Sequence, residues 1–202
     1  MITIFIILAA IVFCMWFFQN QIIGHIGENF TTKNIKAVSK GIVFKDIYVN
    51  GSYGVQQIDI IAVTEKGILV IEKKTYIGLI VGSAYDKQWT VIVNWGKKKF
   101  SMKNPHHQNY GHIQALCEKF PTLKDKFIDL VIFGNNAKMG DKIPGGTICD
   151  RDFERYYKNL PIKLGQTEMD AIARDIASLN ADRARLKAMH KEKIKGMKRI
   201  VK

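Results

Sequence analysis

The stretch that decides the fold is Gln57-Ile58-Asp59-Ile60-Ile61, followed after one turn by Ile68-Leu69-Val70-Ile71-Glu72-Lys73-Lys74. Both parts are apolar runs of strand length interrupted by charge, and residues 64–67 between them have the length and the glycine of a hairpin connection. Because residues two apart on a strand share a face, Glu72 and Lys74 point the same way, and the lysine between them points to the opposite face. The sequence therefore predicts a buried hairpin that carries charged groups.

The register of this hairpin decides whether its two acidic residues meet. If the loop holds an even number of residues, Val63 opposes Ile68 and Asp59 lies across from Glu72. Two facing carboxylates repel each other and stay ionised only with a cation between them. Mg²⁺ suits such a pair, because it binds carboxylates and keeps waters that substrate phosphate can replace. The alternative is a plain ion pair, in which Lys74 neutralises Glu72 and Asp59 caps a nearby turn.

Motifs on both sides of the hairpin extend this pattern. They are Gly27-Glu28, Gln-Ile-Asp at 57–59, GILVIEKKTYIG at 67–78 and NPHHQNYGHIQAL at 104–116. In this order they resemble the nuclease-related domain (NERD) family, which belongs to the PD-(D/E)xK nucleases. The resemblance covers residues 24–133, which is more than half of the chain.

The resemblance implies an α/β fold with a restriction-endonuclease-like core, in the order α-β-β-β-α-β and with a mixed central sheet. It also implies a metal site for phosphodiester hydrolysis. In that site Asp59 and Glu72 would hold Mg²⁺ or Mn²⁺, and Lys74 would be the catalytic lysine. Glu28, in the first helix, would be an outer metal ligand or would hold a water.

Polar residues around this centre are the predicted substrate contacts. Gln57 precedes the first carboxylate, and Gln108 matches the glutamine that follows the core strands in the family. His112 lies four residues further along the predicted helix, on the same face as Gln108. A zinc site that uses His106, His107 and His112 is a weaker alternative, because there is no cysteine at ligand spacing.

Other elements follow from local patterns. Asn104-Pro105 should start a helix, because proline is tolerated in a first turn. Residues 127–133 form a short apolar run, which predicts a buried central strand. Further strands are predicted at 41–49, 76–81 and 89–95, where aromatic and β-branched residues are frequent.

The net charge of +13 predicts a polyanionic partner, either nucleic acid, DNA above all, or anionic lipid. Lys97, Lys98 and Lys99 lie beside Trp95 and Phe100, which is typical of a hairpin tip that grips phosphates. The same residues are also compatible with a solvated turn, and the sequence leaves both interpretations open.

The first 23 residues are predicted to be a transmembrane anchor. Residues 2–18 are apolar except for Thr3, and a helix of about 20 residues spans the hydrocarbon core of a bilayer. A cleaved signal peptide is disfavoured because no basic residue precedes the run and no small-x-small site follows it. A buried helix is disfavoured because the run has no polar face. Lysines after the run place the remainder of the chain in the cytoplasm, which predicts a single-pass protein of the cell membrane.

Residues 161–202 form the last predicted unit, an amphipathic basic helix that follows the nuclease-like domain at 24–160. Thr167 is a candidate helix start, and apolar residues recur at helical spacing from 169 to 179. Nine Lys/Arg and one acid follow in 183–202. This tail could contact anionic lipid, bind DNA or be a solvated helix end.

Taken together, these features predict a membrane-anchored, metal-dependent nuclease that acts on DNA or, less favoured, RNA. The rival from another class is a catalytically inactive nucleic-acid-binding or scaffold module at the membrane, since a fold does not ensure an activity. A third hypothesis is a lipid-tethered partner protein in which the basic tail matters most.

Overall fold

The computed structural model describes residues 27–200, with side chains to residue 196. The predicted anchor at residues 1–23 lies outside this range and stays a prediction. No helix of the described range is long and apolar enough to cross a membrane.

The chain alternates helices and strands in a mixed α/β arrangement. The strands are β1 (Ile42–Gly51), β2 (Gly54–Thr64), β3 (Gly67–Lys74), β4 (Gly78–Val81), β5 (Gln88–Val93), β6 (Lys98–Lys103), β7 (Phe127–Phe133), β8 (Ala137–Met139) and β9 (Thr147–Cys149). The helices are α1 (27–39), α2 (Pro105–Lys119), α3 (Phe153–Lys158), α4 (Gln166–Ser178) and α5 (Arg183–Ile200). Short 3₁₀ segments lie at Pro121–Lys126, Asp150–Asp152 and Leu179–Asp182.

The central sheet has five strands in the order β1-β2-β3-β7-β9. The first three strands are antiparallel, and β7 runs parallel to β3 on one side and to β9 on the other. This mixed sheet agrees with the predicted core order, because α1, β1, β2, β3, α2 and β7 follow one another with a single insertion of β4–β6. β7 occupies the predicted 127–133, and β9 and α3 were not predicted.

The β2–β3 hairpin has the predicted register. Val63 is paired with Ile68, and Thr64 is paired with Gly67, so that the loop consists of residues 65 and 66. Gly67 has a φ of 130°, a backbone conformation that other residues rarely adopt. The turn chemistry therefore fixes which face of β3 each charged side chain occupies.

Helices cover both faces of the central sheet. One face packs against α2 and α4 through a cluster that includes Ile61, Val70, Leu116 and Ile172. The opposite face packs against α1 and α3, with Ile35 and Phe153 fully buried. Because both faces are apolar, charged side chains inside β2 and β3 need partners within the protein.

A second sheet has four strands in the order β6-β5-β4-β8. It shares an apolar cluster with the end of β7, because Trp89 of β5 belongs to the same buried cluster as Val131 and Phe133. The strands predicted at 76–81 and 89–95 are found as β4 and β5, whereas β6 and β8 were not predicted. Three of its strands, β4–β6, are inserted between β3 and α2, and the order of the core elements is otherwise kept.

Two helices, α4 and α5, replace the single helix predicted for 161–202. α4 begins at Gln166 with Gly165 as its N-cap rather than at Thr167. Its apolar stripe is buried as predicted, from Met169 to Leu179. α5 packs along β1 and β2.

Candidate active site

The regular pairing of β2 is interrupted at Asp59 on both sides. Toward β1 the ladder omits Asp46 and Asp59, which would otherwise face each other, and Asp46 has a φ of 54°. Toward β3 the ladder ends at the pair of Ile60 with Ile71, one step before Asp59 and Glu72. β2 is therefore unpaired on both sides at Asp59, and β2 and β3 separate before they reach Glu72.

Asp59 is held by the backbone of the neighbouring strand. Its Oδ2 accepts a hydrogen bond of 2.9 Å from the N–H of Lys73. Burial raises the pKa of Asp59 to about 7, helped by the negative charge of Glu72 and opposed by the Lys73 N–H and by Lys74. A cation bound beside this carboxylate would favour its ionised form.

Glu72 is 5% exposed and lies against two nitrogen-bearing side chains. Nζ of Lys74 donates to its Oε1 over 2.7 Å, and Nδ1 of His112 lies 3.6 Å from its Oε2. Burial raises the pKa of Glu72, and the adjacent Lys74 opposes that shift. The ion pair expected from the sequence is thus present, but Asp59 does not cap a turn and belongs to the same cluster.

Helix α2 completes the cluster from one side. Asn104 caps it as predicted, since its Oδ1 accepts the N–H of His106. Gln108, in the first turn, accepts a hydrogen bond of 3.0 Å from Nζ of Lys74. One turn later His112 is buried, and its Nδ1 has no hydrogen-bond partner. Burial and the nearby Lys74 lower the pKa of His112 to about 4, so that its ring is neutral at pH 7.

Lys73 points to the opposite face of β3, as the strand alternation predicts. Its Nζ lies 2.6 Å from Oδ2 of Asp150, and both side chains are almost fully buried. The Thr31 hydroxyl, on α1, donates to the other oxygen of that carboxylate. Burial lowers the pKa of Lys73, and the bond to Asp150 opposes that shift. This group joins α1 to β3 behind the site.

The carboxylates of Asp59 and Glu72 line a cleft of about 400 Å³. It brings together Gln57, Asp59, Glu72, Gln108 and His112, all of which were predicted as site residues. The cleft is also lined by residues that sequence reasoning did not assign to the site: Gln56, Lys103, His107, Gly111, His190 and Lys193. For the last two, the available signal was their helical spacing of three residues in the tail.

The remaining predicted residues lie in two different places. Glu28, in the first turn of α1, is half-buried and close enough for its charge to raise the pKa of Glu72. Lys97, Lys98 and Lys99 are exposed at the β5–β6 hairpin and do not line the cleft. Lys103, at the end of β6, lines it instead.

The histidines at the start of α2 have separate surroundings. The His106 ring lies between Asp129 and Thr147, at 2.6 and 2.7 Å. His107 is bonded to the carbonyl of Ala84 at 3.0 Å. Across the described part of the chain, no three His, Cys, Asp or Glu side chains are grouped to hold a metal. The zinc alternative therefore has no support.

The carboxylates of Asp59 and Glu72 do suit a different kind of metal site. Mg²⁺ takes one or two protein carboxylates and completes its shell with water and phosphate oxygens, so that it does not need a cage of three side chains. Glu72 is buried and Asp59 is half-buried, both have raised pKa values, and both line an open cleft. These residues fit a hard divalent ion.

The fold and the site together define an α/β protein with the core order and the acid-acid-lysine set of a PD-(D/E)xK nuclease. Comparison with known families agrees: the model of the nuclease-related domain matches residues 23–134, and the chain belongs to this NERD family. An uncharacterized protein of Bacillus anthracis is 43% identical over 75 residues, which are 37% of this chain and 34% of that protein. The chain thus matches about a third of that relative's length. No solved structure matches the chain.

Proposed function

We propose that the protein is a metal-dependent nuclease that hydrolyses phosphodiester bonds in DNA. The observation that carries this proposal is that Asp59 and Glu72 line the same open cleft, with Lys74 bonded to Glu72. Two desolvated carboxylates with raised pKa values destabilise a protein unless a cation neutralises them. A bound divalent ion would supply this neutralisation.

Each side chain then has a separate task. Asp59 and Glu72 would hold Mg²⁺ or Mn²⁺, which would neutralise phosphate charge and lower the pKa of a bound water. Lys74, fixed between Glu72 and Gln108, orients the attacking water and stabilises negative charge that grows on the phosphate. The neutral His112, which lies 3.6 Å from Glu72, and the half-buried Glu28 would be the outer members of this group.

A polyanionic substrate matches the charge of the chain. The net charge is +13, and Lys103 and Lys193 line the cleft beside the carboxylates. Cations around a phosphodiester supply most of the sequence-independent affinity for nucleic acid. We propose DNA as the substrate class, with RNA as an outcome that the test below can return.

A nucleic-acid-binding or scaffold module without chemistry is the second candidate. It needs the basic surface, but it has no need for the two carboxylates with raised pKa values that line the cleft. A non-catalytic module would be more stable with neutral groups at Asp59 and Glu72. The two candidates differ in whether divalent ions and the acidic pair matter.

The test is cleavage of duplex DNA, single-stranded DNA and RNA by the purified full-length chain, with Mg²⁺, Mn²⁺ or EDTA. Asp59→Ala and Lys74→Ala should lower the rate by about a hundredfold or more, because each removes a group that acts on the transition state. Glu65→Gln is the matched control, since this exposed acid lies at the far end of the same hairpin. Cleavage that is equal in all four proteins would contradict the catalytic assignment.

A further inference from the structure

Helix α5 forms part of the cleft wall although it lies outside the residues that match the family. The match ends at residue 134, and α5 begins at Arg183. His190 and Lys193, from its middle, line the same cleft as the two carboxylates. Both lie on the face of the helix that also carries Leu186, at i, i+4 and i+7.

α5 is anchored to the sheet beside the site. The Arg183 guanidinium donates to the Asp46 carboxylate, and Nζ of Lys187 lies 3.5 Å from the same carboxylate. The other oxygen of Asp46 accepts a hydrogen bond of 2.8 Å from the amide of Gln57, which lines the cleft. Leu186 is buried against the side chains of β1 and β2. Asp46 therefore joins the helix directly to a cleft residue.

The two cleft-lining side chains of α5 are each held by a hydrogen bond to a backbone carbonyl of the β1–β2 hairpin. Nδ1 of His190 is bonded to the Val55 carbonyl at 3.1 Å, so that this nitrogen carries the hydrogen, and the ring packs edge-on against Tyr48. In the neutral ring, Nε2 then has a lone pair and accepts rather than donates a hydrogen bond. Nζ of Lys193 donates to the Tyr53 carbonyl over 2.8 Å. An ammonium group has three donors, which leaves two for another acceptor.

We propose that α5 is a substrate-binding wall, in which Lys193 donates to phosphates of the nucleic acid strand whose scissile bond lies over Asp59 and Glu72, and His190 holds the helix against β2 beside it. This inference rests on the proposed function. Lys193 adds a cation to a cleft that is lined by two carboxylates, which lets a polyanion approach them. The tail is then neither a solvated helix end nor a lipid contact at these positions.

The test compares two exposed lysines of the same helix in the full-length chain. Lys193→Gln removes the cleft cation, and Lys191→Gln removes an equal charge two residues away, on the opposite side of the helix. Neither side chain is buried, so both variants should fold. Binding of a fluorescent duplex oligonucleotide is measured at several salt concentrations without divalent ions, and KM and kcat are measured with Mg²⁺.

Lys193→Gln should weaken oligonucleotide binding about fivefold at low salt, and should lower the slope of log K against log salt by about 0.9. KM should rise in proportion, with kcat unchanged within twofold, because the lysine binds uniformly and does not act on the reacting atoms. Lys191→Gln should change the affinity by much less. Equal effects of the two substitutions on oligonucleotide binding would overturn the inference. It would also be overturned if Lys193→Gln bound anionic phospholipid vesicles more weakly than the wild type but bound the oligonucleotide equally well.

The binding arm separates this inference from the proposed function. If the wild-type chain cleaves nucleic acid and the two lysine variants bind it equally, only the assignment of α5 fails. If no divalent ion gives cleavage, the proposed nuclease activity fails, and the oligonucleotide binding of the two variants still decides whether α5 contacts nucleic acid.

Discussion

Two side chains of the cleft have pKa values that move in opposite directions. Burial and the charge of Glu72 raise the pKa of Asp59 to about 7, whereas burial and Lys74 lower that of His112 to about 4. Between its ordinary pKa and its shifted pKa, each side chain is neutral in the folded protein and charged in the unfolded chain. The surroundings of these two side chains therefore favour their neutral forms, and a bound cation would favour the ionised form of Asp59.

The raised pKa of Asp59 has a definite effect on stability. The folded state binds the proton more tightly than the unfolded state, so that the stabilisation is present below about pH 4 and is lost as the pH rises to about 7. Asp59→Asn removes this loss. In EDTA, the free energy of unfolding of the variant relative to the wild type should increase by on the order of 2 kcal/mol between pH 5 and pH 8.

Urea unfolding at both pH values measures this difference. Glu65→Gln is the control, and its effect should be similar at the two pH values because the residue is exposed. A difference between Asp59→Asn and the wild type that does not change with pH would mean that Asp59 has an ordinary pKa. His112, whose lowered pKa acts in the opposite direction, is present in both proteins and cancels in the comparison.

At the scale of elements, the alternation along β3 separates a functional face from a structural one. Glu72 and Lys74 face α2, where Lys74 is bonded to Gln108, and Lys73 between them faces α1 and Asp150. A buried ion pair contributes little beyond what apolar residues would supply, but breaking it leaves one charge without a partner. The two faces should therefore respond differently to substitution.

Lys73→Met should lower the free energy of unfolding by about 3–5 kcal/mol, because Asp150 is left buried without its cation. Asp150→Leu in the same chain should restore much of this loss. The cleavage rate per folded molecule should remain near that of the wild type, since neither residue lines the cleft. Thermal unfolding together with the cleavage assay checks both statements, and a fully stable Lys73→Met variant would contradict them.

The predictions that the structure confirms at this scale depend on local patterns in the sequence. Strand alternation sufficed for the shared face of Glu72 and Lys74, an even-numbered loop for the register of the hairpin, and helical spacing for Gln108 and His112. The position of His190 could not be predicted in this way, because its partner Val55 is 135 residues away in the sequence. The second sheet was missed in part because β8 has three residues, too few for a periodic signal.

At the scale of the whole molecule, the positive charge and the predicted anchor suggest two ways of reaching a membrane. We propose that residues 1–23 span the cell membrane once and leave the nuclease domain in the cytoplasm. The basic tail offers a weaker, electrostatic alternative. Salt distinguishes the two, since an inserted helix is insensitive to ionic strength and an electrostatic contact is not.

The full-length chain should remain with the membrane fraction after a wash in 1 M salt, because the predicted anchor is held by apolar burial. A chain without residues 1–23 should be released by the same wash. Release of the full-length chain by salt would contradict the proposed anchor and favour attachment through the basic tail.

The central claim is that Asp59 and Glu72 hold a divalent ion together, and calorimetric titration of the full-length chain with Mg²⁺ and Mn²⁺ tests it most directly. We expect one binding event near pH 7.5 in the wild type and in Glu65→Gln, and none in Glu72→Gln. Heat that is the same in all three proteins, or that is absent from the wild type, would contradict the claim.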